Sequence, residues 1–159
     1  MSAFSSSITS THPNVALIYK KLSKRDGVTR RKTLLELIDF LSNADKDESI
    51  EFTQYWFKSY YSLVLDVDPS IRLHTASANS TLVKNLEKDL APFLKILVPC
   101  WICSMVDPAN DVALISKNSF DTCFPDKKAN VFYFCRQEII DFIIDHLLKQ
   151  TPASLSIFI

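Results

Sequence analysis

Asp66-Val67-Asp68-Pro69-Ser70-Ile71-Arg72 decides how this chain is read, because a long run without Gly or Pro follows it. An aspartate before a helix accepts hydrogen bonds from the first free backbone N–H groups. A proline at the first helical position gives up an N–H that has no partner anyway. Asp68 and Pro69 fit those two places. Downstream, Ile71, Thr75, Ala78, Leu82 and Leu86 recur at spacings of three and four, the stripe of one helix face. Upstream, Trp56, Tyr60 and Leu63 keep the same rhythm on a preceding helix. Arg72 lies one turn inside the second helix, where its guanidinium is expected to staple back to Asp66 or Asp68. Two helices joined in this way cannot bury their apolar faces alone, so they stack on neighbours, as in a HEAT/ARM-type repeat.

Composition supports helix throughout. The chain has 159 residues, about one domain. Its 47% hydrophobic and 11% aromatic content is ample for a packed core. Gly occurs once, at position 27. Tight turns with positive φ and phosphate-cradling loops both need Gly, which argues against an all-β fold or a nucleotide loop. The expected fold is all-α: a HEAT/ARM-like solenoid of about seven antiparallel helices.

Further predicted elements follow from caps and periodicity. Residues 1–13 read as a disordered polar tail and 14–150 as the helical-repeat domain. A short helix over about Asn14–Ser23 buries Val15, Ile18 and Leu22. Thr29 is expected to cap a second, carrying Leu34, Leu37, Ile38 and Leu41. Ala44–Glu48 reads as an acidic loop and Ile50–Leu65 as the aromatic-rich helix. Asp89 and Pro92 open a fifth helix containing Leu94 and Trp101. Asp107-Pro108 repeats the earlier Asp-Pro start and opens a sixth. A single last helix is expected over about Lys128–Lys149, apolar on more than one side. Residues 151–159, ending in Leu155, Ile157, Phe158 and Ile159, read as an unmatched apolar tail, where a longer solenoid is cut short.

Net charge is zero but unevenly placed. Residues 1–32 hold Lys20, Lys21, Lys24, Arg25, Arg30, Arg31 and Lys32 against Asp26 alone, a net of +6, and the remainder carries −6. The seven basic residues form a candidate partner-binding patch for nucleic acid or an acidic protein surface. The bland alternative is a solvated face.

Other candidate chemistry is weak. Cys100 and Cys103 have the spacing of a redox pair or half a zinc site, with Cys123 and Cys135 as possible further ligands. They fall among apolar residues in a helix, where a thiol is usually a small buried hydrophobe. His12, His74 and His146 are scattered and have no nucleophile beside them. No catalytic residue, cofactor site or metal site is assigned. The most apolar run, Leu90–Val106, is interrupted by Pro92, Lys95 and Pro99 and falls short of the roughly 20 residues of a membrane span, so no membrane contact is expected. Four cysteines without an apolar leader in residues 1–12 argue for free thiols and a reducing compartment, and the expected location is the cytosol.

Val15 to Leu37, with its Lys-Lys-Leu-Ser-Lys-Arg-Asp-Gly-Val-Thr-Arg-Arg-Lys core, resembles the opening of the listerin family of RING-type E3 ubiquitin ligases. The likeness continues through Trp56, Tyr60, Leu63, Asp66, Asp68, Ile71 and Arg72. It extends to Leu90-Ala91-Pro92-Phe93-Leu94-Lys95, Trp101, Asp107, Ala113, Phe120 and Phe124-Pro125. The resemblance implies the N-terminal end of a long HEAT/ARM solenoid active in ribosome-associated quality control. Such a domain would dock on the large ribosomal subunit, its rRNA and protein, and on the factor that recognises the stalled subunit. The family's distant RING recruits E2 and ubiquitin and holds zinc. Four cysteines cannot supply its eight ligands, so this chain is expected to be non-catalytic and free of cofactor. The alternative reading is a generic HEAT-repeat scaffold fragment that binds a protein partner.

Overall fold

Eight α-helices and one 3-10 segment order residues 13–147, the residues that the computed structural model describes. They are α1 (Pro13–Leu22), α2 (Gly27–Asn43), α3 (Lys46–Leu63) and α4 (Pro69–Leu86). The 3-10 segment Glu87–Phe93 follows, then α5 (Leu94–Met105), α6 (Asn110–Cys123), α7 (Lys128–Phe134) and α8 (Arg136–Leu147). No strand occurs among the described residues. The expected tails, 1–13 and 151–159, lie outside them except for Pro13, which opens α1.

α1–α2, α3–α4 and α5–α6 pair as hairpins, and like-placed helices of successive hairpins pack on one another. α1, α3, α5 and α8 form one layer, while α2, α4 and α6 form the other. This alternation is the solenoid logic that the Asp66–Arg72 turn predicts. The core sits between the layers. Ile71, Thr75, Ala78, Leu82 and Leu86 of α4 are all fully buried, and they meet Leu34, Leu37 and Leu41 of α2 and Trp56, Tyr60 and Leu63 of α3. Trp56 stacks on Tyr60 with ring centroids 5.1 Å apart and donates its indole N–H to Asn79 Oδ1 at 3.1 Å. In the next hairpin Trp101 meets Phe120 edge-on at 5.1 Å and donates to the Ser116 carbonyl at 3.1 Å. Buried indoles need such partners. Trp56, Leu82 and Trp101 are buried in the core, and Leu94 is half-buried against it.

Several boundaries differ from expectation, each for a local reason. Asp26, not Thr29, caps α2, accepting from the Val28 and Thr29 amides at 3.3 and 2.8 Å. The stretch read as an acidic loop is instead the start of α3. There Asp45 and Glu48 form a reciprocal capping box with both bonds at 2.9 Å. α4 stops at Leu86, because Glu87 takes φ 48° and ψ −117°, and the chain continues as a 3-10 segment across Pro92. α6 begins at Asn110 rather than at Pro108. Asp107 Oδ1 holds the Ala109 amide at 2.8 Å, and both its oxygens are engaged by Arg72 from α4. The expected single last helix breaks at Cys135, which caps α7 with its amide turned to the Val131 and Tyr133 carbonyls; Arg136 Nη1 donates to the Tyr133 carbonyl as well, at 2.7 Å. Cys135 is fully buried, and Ile139 and Phe142 pack on the core, while Phe134, Ile140 and Ile144 are exposed.

Candidate partner-binding edge

The turns within the hairpins, between α1 and α2, α3 and α4, and α5 and α6, all lie on one edge of the two layers. α2 and α4 each send an arginine back to that edge from their fourth residue. Arg30 Nη1 donates to the Lys24 and Arg25 carbonyls of its own turn at 2.9 and 2.7 Å. Its Nη2 reaches across to Asp66 Oδ2 of the next turn at 2.7 Å. Arg72 repeats the pattern. Its Nη1 donates to the Asp66 carbonyl at 2.7 Å, while Nε and Nη2 grip Asp107 Oδ2 and Oδ1 of the following turn at 2.6 and 3.1 Å. The two-pronged grip holds the guanidinium pKa above its ordinary value, chiefly through the hydrogen bond to Asp107.

This corrects the expected staple. Arg72 does bind its own turn, but through backbone carbonyls, and its carboxylate partner is neither Asp66 nor Asp68. Asp66 is taken by Arg30, and its other oxygen accepts from the Asp68 amide at 3.0 Å. Asp68 caps α4, accepting from the Ser70 amide at 2.8 Å. The staple therefore joins successive hairpins rather than the two helices of one. Asp107 is not among the residues expected to form it. Its signal lies in the spacing: Arg30 to Asp66 spans 36 residues and Arg72 to Asp107 spans 35, one repeat each.

The seven candidate patch residues divide into roles. Arg30 is structural, with a side chain 19% exposed. Lys21 pairs with Glu36 at 3.0 Å. Lys20, Lys24, Arg25, Arg31 and Lys32 are exposed around the end of α1, the first turn and the start of α2. Val28 and Val67 are exposed on the same edge. Arg31 lies near His74 of α4, and burial, helped by that positive charge, holds the imidazole pKa below its ordinary value. The edge thus offers exposed cations flanked by small apolar side chains on a scaffold locked by arginine.

The remaining candidates are placed plainly. Cys100 is buried, and burial pushes its thiol up to about 12, so it stays protonated and is a poor ligand or nucleophile. Burial also raises the Cys103, Cys123 and Cys135 thiols. Among the described residues no group of three His, Cys, Asp or Glu side chains is placed to hold a metal ion. None of their helices is long and apolar enough to cross a membrane. His146 rests against the Phe142 and Tyr61 rings at 4.4 and 5.0 Å. His12 lies outside the described residues.

Comparison with known proteins decides the family. The sequence model for "E3 ubiquitin-protein ligase listerin, N-terminal domain" matches residues 8–157. This chain belongs to the listerin family. It is similar to the E3 ubiquitin-protein ligase listerin of Gallus gallus, 32% identical over 141 residues, and of Mus musculus, 33% identical over 141 residues. The listerin of Drosophila melanogaster is 32% identical over 148 residues. These alignments cover 88%, 88% and 91% of this chain but only 8% of each relative, so the chain spans a small part of the listerins it matches. No solved structure matches it. Within a listerin N-terminal domain, then, five exposed cations gather around the first hairpin turn.

Proposed function

We propose that this listerin N-terminal domain is the ribosome-docking module of an E3 ubiquitin ligase acting on nascent chains of stalled large ribosomal subunits. One observation carries the reading. Five exposed basic side chains cluster at the first turn of a chain whose remaining residues carry net negative charge. rRNA phosphate, or an acidic face of the factor marking the stalled subunit, is the complementary surface. Ribosomal protein at that site meets Val28 and Val67. The domain holds and orients, and transfers nothing. E2, ubiquitin and zinc belong to the family's RING, which these residues do not contain, and the setting is the cytosol.

Co-sedimentation tests the proposal. The chain should pellet with purified large subunits and not with small ones. The variant Lys24→Glu/Arg25→Glu/Arg31→Glu/Lys32→Glu should stay in the supernatant at unchanged helicity. Equal pelleting with both subunits, or none with either, would overturn it.

A further inference from the structure

A groove on the opposite edge has a different chemistry. α4 has eighteen residues, so its far end lies about 27 Å from the basic turns. There the C-terminal halves of α4 and α6, together with the 3-10 segment, line an open groove of about 950 Å³. Val83 and Leu90 close its bottom, and half-buried Leu94 and Phe124 form its walls. Its rim is basic: Lys84 and Lys88 stand exposed on one side and Lys127 on the other, with Glu87 the acidic side chain among them. The turn at Glu87, with φ 48°, ends α4 and starts the 3-10 segment, which brings the buried Leu90 into the lining.

We infer that this groove binds an acidic amphipathic helix of a partner protein. An apolar floor is satisfied by apolar side chains at helical spacing, which leave their own polar face free to meet the rim. A rim with three lysines and one glutamate selects carboxylates and rejects a basic helix. RNA fits poorly, because phosphates would meet the lysines but leave the apolar floor wet. The site is separate from the basic edge: it is built on other helix ends and combines charge with an apolar cleft.

The probe is a fluorescein-labelled synthetic peptide of about four helical turns, with Leu at the i, i+3, i+4 and i+7 positions and Glu elsewhere. Anisotropy with the 159-residue chain should rise to saturation in the micromolar range. The same peptide with Lys for every Glu, and a single-stranded RNA of similar length, should bind at least about tenfold more weakly. Lys84→Glu/Lys88→Glu/Lys127→Glu should weaken the Glu peptide by about tenfold or more, and the corresponding Gln variant by less. All three lysines are exposed, so circular dichroism should report an unchanged fold. The proposal is overturned if the Glu peptide does not bind by about 1 mM. It is equally overturned if the Lys peptide or RNA binds as well, or if the charge-reversed chain binds unchanged. Because the basic edge is intact in these variants, large-subunit pelleting should persist whatever the peptide does.

Discussion

Arg30 and Arg31 are neighbours in sequence and opposite in role. Successive helix residues point about 100° apart, so one guanidinium turns into the seam between hairpins while the next stays in solvent. The seam arginines hold charge that cannot easily be left alone: the side chain of Asp107 is 5% exposed and that of Arg72 14%. Arg72→Ala strands a buried carboxylate and should cost about 3 kcal/mol in urea unfolding. Arg31→Ala should change stability by no more than about 0.5 kcal/mol. Equal costs would mean that the ladder contributes nothing to stability. His74 adds a pH dependence. Burial first, and Arg31 second, depress its pKa, so the folded chain binds fewer protons than the unfolded one just below pH 6.5. The associated stability is present above the unfolded pKa and is lost as pH falls through the folded one. His146 is depressed by burial in the same direction. The urea midpoint should therefore fall between about pH 7 and 5.5, and His74→Gln should flatten that fall. A midpoint that rises on acidification would contradict the assignment.

At the scale of the element, the α3–α4 and α5–α6 hairpins repeat one device: a tryptophan in the first helix anchored by a polar group in the second. Trp101 is 1% exposed and donates to both Ser116 and Ser119 of α6. Trp101→Ala should cost about 3–5 kcal/mol, and Trp101→Phe less, measured by thermal or urea unfolding. A cost below about 1 kcal/mol for the alanine variant would mean that the site relaxes around the gap. These core positions were legible in the sequence, because Trp56-Tyr60-Leu63 and Ile71 through Leu86 keep the helical period, and the residues on that period are buried. The ends of elements were less so. The α3 start depended on a reciprocal Asp45–Glu48 bond that competes with a loop reading of the same acidic letters. The break at Cys135 falls where the sequence has neither Gly nor Pro to announce it. Partners a whole repeat away, such as Arg72 and Asp107, are visible only once the hairpins are laid side by side. Gly27 is the first residue of α2, with an ordinary φ.

At the scale of the whole fold, the described residues present two edges of different chemistry. Hairpin turns gather on one, where the arginine ladder fixes the spacing of the repeats and the first turn displays its cations. The C-termini of α2, α4 and α6 gather on the other, where those of α4 and α6 line an apolar groove with a lysine rim. Charge composition alone located the first edge but did not separate its structural members from its free ones, since Lys21 and Arg30 carry the same formal charge as Lys20 and Arg31. Large-subunit docking through that edge is the central claim, and the salt dependence of binding tests it most directly. A cation seated on phosphate releases counterions, so log K should fall steeply and linearly with log salt concentration. For the parent chain the account predicts a strong negative slope. Lys24→Glu/Arg25→Glu/Arg31→Glu/Lys32→Glu should flatten it, by roughly 0.7 to 0.9 for each phosphate no longer neutralised. A variant whose affinity and slope both equal those of the parent would contradict the claim and leave the basic edge as a solvated face.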